Sequence, residues 1–184
     1  MEEMGGASWP VVDDPATSQR ATGGFPVDAP QVLDRLYNEV DRLYNEVARG
    51  CGISECAYWL LYGVEAGDGC ATQAELAQQY SYSKQTVNSA LKTLEAKGLV
   101  TLAAREGGRG KVIRLTKAGR EFSQRHIVPA MEAERRAFAS LAPRDRSELI
   151  RLVRAYTLAV DAELGVLLGR APRSSVEEVP GHGA

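Results

Sequence analysis

The sequence predicts a mainly α-helical protein with one small β-hairpin. Three observations support this fold class. No proline occurs between Gln31 and Val128, so long helices are permitted there. Apolar residues recur at helical spacing through most of that stretch. Two β-like runs, Leu99 to Ala103 and Lys111 to Leu115, flank the glycine-rich segment REGGRG, an arrangement typical of a hairpin.

The composition indicates a globular protein. Of the 184 residues, 44% are hydrophobic and 25% are charged, which excludes the disordered, collagen-like and disulfide-scaffold classes. No apolar run approaches the roughly 18 to 20 residues that a membrane-spanning helix needs. The acidic N-terminal segment resembles neither a secretory signal nor a transit peptide. We therefore expect a cytoplasmic protein that does not bind a membrane.

Prolines mark the two ends of the chain. Six of the eight lie in residues 1–30 and 169–184, so we expect a flexible acidic tail over 1–30 and a second flexible tail over 169–184. Residues 31–168 are expected to form one domain, with a central part at about 54–117 between helices at 31–48 and 118–168. Pro129 predicts a kink or weak point in the helical stretch from Thr116 to Leu141.

The first predicted helix contains an identical heptad twice, DRLYNEV at residues 34–40 and 41–47. Its apolar residues alternate at spacings of three and four, which places them in one seam. Two heptads are too short for a free-standing coiled coil, and the final helix, expected to begin near Pro143, has an apolar stripe of its own. We therefore expect a homodimer, with contacts from Leu33, Leu36, Val40, Leu43, Val153, Tyr156, Val160 and Leu164.

Capping residues divide the central part into short helices. Ser54 predicts the start of a helix that runs through Ala66. Thr72 and Glu75 form the capping-box pattern T-x-x-E, which predicts a short helix ending near Tyr80. A glycine-containing turn, GDG, separates these two helices.

The next helix is predicted to begin after Ser83 and to stop at Gly98. Its apolar stripe, Val87, Leu91 and Leu94, leaves a polar face on the other side. A short helix, a tight turn, a polar-faced helix and a basic glycine-rich hairpin, in this order, are typical of a winged helix-turn-helix. Such a helix fits the major groove of double-stranded DNA, where polar side chains reach base edges.

Charge is distributed unevenly along the chain. The formal net charge is -2, but residues 81–120 contain nine basic and two acidic side chains. A charge run of this kind often forms only a solvated face. Combined with the polar helix and the hairpin, it favours an electrostatic surface for DNA.

One known family carries these features together. The stretch TQAELAQQYSYSKQTVNSALKTLEAKGLV, continuing to GGRGKVIRLTKAGREF, resembles the DNA-binding core of the MarR family of bacterial transcriptional regulators. The resemblance extends over residues 31–168. It implies a homodimer whose first and last two helices interleave, a helix at Ser83 to Ala96 in the major groove, and a wing arginine, Arg109, in the minor groove. It also implies a ligand-responsive repressor that binds a pseudo-palindromic operator.

Candidate DNA contacts follow from side-chain chemistry. Gln85, Asn88 and Ser89 carry amide and hydroxyl groups that can read base edges. Ser83 is expected to combine helix capping with a phosphate contact. Cations for phosphate or the minor groove are Lys84, Lys92, Arg105, Arg109 and Lys111. Family wings often have an aspartate two residues before the arginine, and this sequence has Gly107 there, beside Glu106.

An aromatic set offers a candidate pocket for a small aromatic ligand, as the resemblance implies, although aromatic residues at helical spacing more often form core. These residues are Tyr37, Tyr44, Tyr58, Trp59, Tyr62, Phe122 and His126. Cys51 lies beside Arg49, a cation that could lower its pKa, but an inert thiol is the simpler interpretation.

Other function classes have little support. The sequence lacks a nucleophile elbow, a P-loop and a histidine-rich metal set, so we expect no enzyme, no cofactor and no bound metal. The main alternative is a dimeric winged-helix module that binds proteins rather than DNA. Selection of bound sequences from random DNA distinguishes the two.

Overall fold

A computed structural model of the chain describes residues 24–26, 28–104 and 111–170. The described residues form two compact units, the first ending at Ile127 and the second beginning at Val128. The elements of the first unit are α1 (Pro30–Gly50), α2 (Glu55–Ala66), β1 (Cys70–Thr72), α3 (Gln73–Gln79), α4 (Lys84–Ala96), β2 (Val100–Ala104), β3 (Lys111–Leu115) and α5 (Lys117–His126). The second unit contains α6 (Val128–Ala139) and α7 (Pro143–Leu167). The mainly α-helical fold class with a small β-sheet is confirmed.

The core of the first unit lies between α2, α4 and the sheet. Helix α2 is buried on most of its surface, whereas α4 buries one stripe, as its spacing predicted. The fully buried side chains include Leu60, Leu61, Val64, Leu76, Val87, Leu91, Leu94 and Ile113. Burial of each large aliphatic side chain contributes about 1.5 to 3 kcal/mol, so this core fixes the position of α4.

Side-chain caps set the helix starts, as the sequence predicted. The hydroxyl of Ser54 accepts a hydrogen bond from the amide of Ala57, and Ser83 caps α4 in the same way. The capping box is complete: the amide of Thr72 donates to Glu75 at 2.8 Å and the amide of Glu75 donates to the Thr72 hydroxyl at 3.2 Å. Each cap satisfies amides that a helix start leaves without a backbone partner.

The hairpin is part of a three-stranded antiparallel sheet with the order β1-β3-β2. Strand β3 pairs with β2 through Val100 opposite Leu115, and with β1 through Cys70 opposite Arg114. The sequence predicted β2 and β3, within one residue at each end, but not β1. Three residues are too few to show an alternating pattern, and β1 forms only because β3 offers it a free edge.

The helical stretch after Thr116 is divided in two. Helix α5 ends at His126, the buried Ile127 forms its cap, and α6 begins at Val128. The sequence placed a kink or weak point at Pro129, and the division falls two residues before it. Proline has no backbone N–H, so a continuous helix would leave the carbonyl four residues earlier without a donor.

Apolar side chains remain exposed on α1 and α7. On α1, Leu36 is 44% exposed and Leu43 is 62% exposed. On α7, Leu149, Ile150, Leu152, Tyr156 and Leu164 are exposed. Each helix therefore has an apolar face that its own unit leaves uncovered. In the described residues, no helix is both long enough and apolar enough to cross a membrane.

Candidate nucleic-acid interface

The exposed face of α4 is polar and cationic. Gln85, Asn88 and Ser89, predicted to face bases, are all exposed. Lys84 and Lys92 lie exposed at the two ends of this face. Directly behind them, Val87, Leu91 and Leu94 are buried. The helix therefore presents hydrogen-bonding groups on a rigid support, which is the geometry that major-groove reading requires.

The start of α4 is suited to a phosphate. The Ser83 hydroxyl accepts the amide of Thr86 at 3.1 Å and forms a second hydrogen bond, 2.8 Å long, with the Thr86 hydroxyl. The capping part of the Ser83 prediction is confirmed. Partial positive charge at a helix start and the ammonium group of Lys84 both favour a nearby anion.

One contact joins the two helices of the helix-turn-helix. Gln73, the first residue of α3, donates a hydrogen bond from Nε2 to Oδ1 of Asn88 on α4, and the two atoms are 2.6 Å apart. Of the three residues predicted to face bases, Asn88 is the one whose side chain forms a hydrogen bond with another helix of the described part of the chain. No local pattern pointed to Gln73, since it lies 15 residues away from Asn88.

The hairpin adds further positive charge. Lys111 is exposed at the start of β3, opposite Ala104. Arg114 and Lys117 follow, also exposed. Two predicted wing cations lie outside the described residues, namely Arg105 and Arg109. The neighbouring Glu106 and Gly107 also lie outside them. The base of the hairpin and the polar face of α4 thus belong to one unit and carry the same sign of charge.

The aromatic set divides into two groups. Trp59 packs against Tyr44, Tyr62 and Tyr80, with ring centroids 4.5, 5.3 and 5.5 Å apart respectively. Tyr58 is fully buried beside Trp59. This Trp59 cluster joins α1, α2 and the end of α3. Sequence reasoning missed Tyr80, which follows the last residue of α3 as its C-cap.

The remaining members of the predicted pocket lie apart from the Trp59 cluster. Phe122 and His126 form their own pair on α5, with ring centroids 4.6 Å apart. Tyr37 is 46% exposed on α1. The structure therefore brings together four of the seven predicted residues: Tyr44, Tyr58, Trp59 and Tyr62.

The thiols of Cys51 and Cys56 are poorly activated. Partial burial raises the pKa of Cys51, and its Sγ donates a hydrogen bond to the backbone carbonyl of Val47 at 3.0 Å. Burial and the neighbouring Glu55 raise the pKa of Cys56. The sequence allowed Arg49 to lower the pKa of Cys51, but that pKa is not lowered. The Nε of Arg49 instead donates a hydrogen bond to Oδ1 of Asn45 at 3.4 Å.

Several solved structures with a similar fold are MarR-family regulators. NMB1585 from Neisseria meningitidis has a TM-score of 0.62 and 21% identity, over 73% of this chain and 95% of that chain. AbsC from Streptomyces coelicolor has a TM-score of 0.58 and 24% identity, over 74% and 97%. A mutant MarR from E. coli, complexed with operator DNA, has a TM-score of 0.55 and 20% identity, over 69% and 91%.

The sequence comparison agrees with the fold comparison. No curated protein sequence matches the chain. Residues 52–110, which run from the turn before α2 through the segment joining β2 and β3, match a model of the MarR family. This part of the chain is therefore similar in sequence to the MarR family, and the described fold is similar to that of MarR-family regulators.

Proposed function

We propose that the protein is a sequence-specific DNA-binding transcriptional regulator. The observation that carries this proposal is the exposed face of α4, where Gln85, Asn88 and Ser89 lie between Lys84 and Lys92 on a helix anchored by buried leucines. Amide and hydroxyl groups can discriminate base edges, and the flanking ammonium groups can neutralise phosphates. A merely solvated face would not need the basic hairpin beside it.

Electrostatics supports the same conclusion. Residues 81–120 carry nine basic and two acidic side chains, whereas residues 51–80 carry four acidic side chains and no basic ones. An attraction to DNA would therefore be strongest along the stretch from α4 to the start of α5, and it would orient the protein on the duplex. The resemblance in sequence assigns the wing cations Arg105, Arg109 and Lys111 to phosphates or the neighbouring minor groove, and this assignment is part of the proposal.

The active form is a homodimer. The exposed apolar residues of α1 and α7 form surfaces that isolated soluble proteins rarely leave in water. A second copy of the chain covers them, through the seam of Leu33, Leu36, Val40 and Leu43 and the stripe of Val153, Tyr156, Val160 and Leu164. Two α4 helices related by a two-fold axis then require a pseudo-palindromic operator with half-site centres roughly 34 to 36 Å apart.

The protein acts as a repressor that a small aromatic ligand releases from DNA. The Trp59 cluster supports this part of the proposal, because Tyr44, Trp59 and Tyr62 are partly exposed and belong to two helices, α1 and α2, near the end of α3. A ring that enters between them would gain stacking energy of about 0.5 to 1.5 kcal/mol per contact and displace these helices. Of the other predicted pocket residues, Tyr58 is buried beside Trp59, whereas Tyr37, Phe122 and His126 lie apart from this cluster.

The test is a selection of bound sequences from a random DNA pool, followed by binding measurements at several salt concentrations. The proposal predicts a two-fold symmetric motif and a log-log salt slope of about -0.9 for each neutralised phosphate. A reporter gene behind the selected motif should then be silenced by the protein. Recovery of no motif, together with salt-independent affinity, would instead favour the protein-binding winged-helix module.

A further inference from the structure

Gln73 and Asn88 are linked before any DNA is bound. The Nε2 amide of Gln73 donates to Oδ1 of Asn88, with the two atoms 2.6 Å apart. Asn88 is nevertheless exposed, in the second turn of α4 beside the buried Val87. The contact therefore leaves the Asn88 side chain accessible while fixing which end of its amide faces α3.

The backbone at Gln73 is held on both sides. Thr72, directly before it, pairs with Val112 in the sheet and accepts the amide of Glu75 as the cap of α3. Gln73 itself is partly buried as the first residue of α3. Its side chain therefore reaches Asn88 from a fixed starting point.

A side-chain amide is chemically asymmetric, because its oxygen only accepts hydrogen bonds and its nitrogen only donates them. With Oδ1 directed at Gln73, the Nδ2 group of Asn88 is directed away from α3. We propose that Gln73 is a positioning residue that makes Asn88 a hydrogen-bond donor towards DNA. This proposal rests on the DNA-binding function proposed above.

The consequence is a specific choice of base atoms. A donor pairs with major-groove acceptors, which are N7 of guanine and adenine, guanine O6 and thymine O4. The familiar bidentate amide pairing with adenine needs both Oδ1 and Nδ2 on one edge, accepting from N6 and donating to N7. Because Gln73 holds Oδ1 towards α3, we expect Asn88 to donate to a single one of these acceptors and not to accept from an amino group.

The test uses the full-length protein, its selected binding site and base analogues that alter single atoms. 7-Deazaguanine, 7-deazaadenine and 4-thiothymine remove or weaken acceptors, whereas purine in place of adenine and 2-pyrimidinone in place of cytosine remove amino donors. Asn88 contacts the base at which an analogue changes DNA binding by the wild type but not DNA binding by Asn88→Ala. In the wild type, an acceptor analogue at that base should weaken binding about tenfold, and a donor analogue should have no effect.

Gln73→Glu reverses the hydrogen bond. The carboxylate can only accept, so the Asn88 amide must turn its Nδ2 towards α3 and its Oδ1 towards the DNA. Sites selected by this variant should be sensitive to loss of an adenine or cytosine amino group. Gln79→Glu places the same charge on α3 away from Asn88, and it should keep the wild-type pattern. Thermal unfolding followed by circular dichroism confirms that each variant is folded.

Asn88→Asp provides a second route if Gln73→Glu does not fold. It keeps an acceptor for the Gln73 amide, so the fold contact survives, but it removes the donor that faces DNA. Affinity for the preferred site should fall at least tenfold more than affinity for random DNA. The proposal is overturned if the wild type is sensitive to a donor analogue at the Asn88 base, or if Gln73→Glu retains the wild-type pattern. If the wild type selects no sequence at all, it is the proposed function that fails.

Discussion

The hydroxyl of Thr116 donates a hydrogen bond to the backbone carbonyl of Gly98, with the two oxygens 2.6 Å apart. Gly98 ends the α4 segment with φ = +68°, a conformation that glycine adopts without strain. The same hydroxyl accepts the amide of Gly119 at 2.9 Å and so caps α5. One side chain thus ties the end of the candidate recognition helix to the start of α5.

Gly119→Ala should destabilise the first unit. A β-carbon at Gly119 would overlap the backbone carbonyl oxygen of Leu99, which cannot rotate away as a side chain could. Forced separation of α5 from the start of β2 should lower the free energy of unfolding by about 1 to 3 kcal/mol. Urea unfolding followed by circular dichroism measures the change.

Gly50→Ala is the matched control for this substitution. A β-carbon at Gly50, the last residue of α1, would have no neighbour within 4 Å. Its effect should be neutral, or stabilising by up to about 1 kcal/mol, because alanine restricts the unfolded chain. Equal stability of the two variants would contradict the packing described for Gly119.

Asn88→Ala and Arg109→Ala should distinguish sequence-specific base recognition from non-specific binding to DNA. Loss of Asn88 should cost about 1 to 3 kcal/mol of binding free energy on the preferred site and leave random DNA nearly unaffected. Loss of Arg109, whose position in the sequence is the tip of the wing, should weaken binding to every sequence and make the salt slope about one unit shallower. Fluorescence anisotropy at two salt concentrations distinguishes them. Unchanged random-DNA affinity in Arg109→Ala would mean that the wing is not a DNA element.

The variant with both Leu36→Glu and Leu43→Glu should lose the dimer and DNA binding together. Both leucines are exposed on the seam of α1, so burying carboxylates there in a dimer would carry a large desolvation penalty. Sedimentation velocity at micromolar concentration measures the assembly. Asn38→Glu, on the opposite side of the same helix, is the control and should remain dimeric. A stable, folded wild-type monomer at that concentration would refute the dimer.

Tyr82→Phe should reduce the loss of stability at high pH. Partial burial and the negative groups of Cys56, Glu55 and Asp41 raise the pKa of Tyr82 to about 12 from its ordinary value of 10.0. Between these values the unfolded chain releases the phenol proton while the folded chain retains it, so stability falls as the pH rises through this window. The variant lacks this contribution.

Urea unfolding at about pH 9.5 and about pH 11.5 measures the effect of Tyr82→Phe. Tyr37→Phe removes a phenol from an exposed site on α1 and serves as the control. The difference in stability between the two pH values should be smaller for Tyr82→Phe than for the wild type or the control. Identical differences in all three proteins would show that Tyr82 ionises at the same pH in the folded and unfolded chains.

Cys51 should not act as a redox switch. Its raised pKa leaves little thiolate at neutral pH, and thiolate is the form that peroxides oxidise. An organic peroxide should therefore affect DNA binding equally in the wild type and in Cys51→Ser, as measured by electrophoretic mobility. Release of DNA from the wild type alone would contradict this prediction.

Local signals in the sequence predicted most of the first unit. The caps at Ser54, Thr72 and Ser83 each depend on atoms within three residues, so the pattern alone places the helix starts. The buried stripe of α4 is similarly local, because helical periodicity determines it. The side of α4 opposite this buried stripe is then predicted to be polar and exposed, and it forms the candidate interface.

Features that depend on distant residues were not predictable in this way. Strand β1 exists because Arg114 and its neighbours pair with it across more than forty residues. The hydrogen bond between Gln73 and Asn88 needs two helices to cross at a particular distance. Tyr80 joins the Trp59 cluster only when α3 packs against α2. Single-sequence reasoning has no access to such contacts, since neither partner carries a local pattern.

Strand β3 lies in the middle of the sheet, and this position has a mechanical consequence. Its Val112 pairs with Thr72, the residue that starts α3, while its Lys111 pairs with Ala104 in the hairpin. Backbone hydrogen bonds, rather than adjustable side chains, therefore set the spacing between α3 and the base of the wing. In the DNA-binding function proposed above, a surface held in this way has little freedom to adapt, so we expect the duplex to bend instead. Flexible pyrimidine–purine steps between the contacted bases should then improve affinity at positions that no side chain touches.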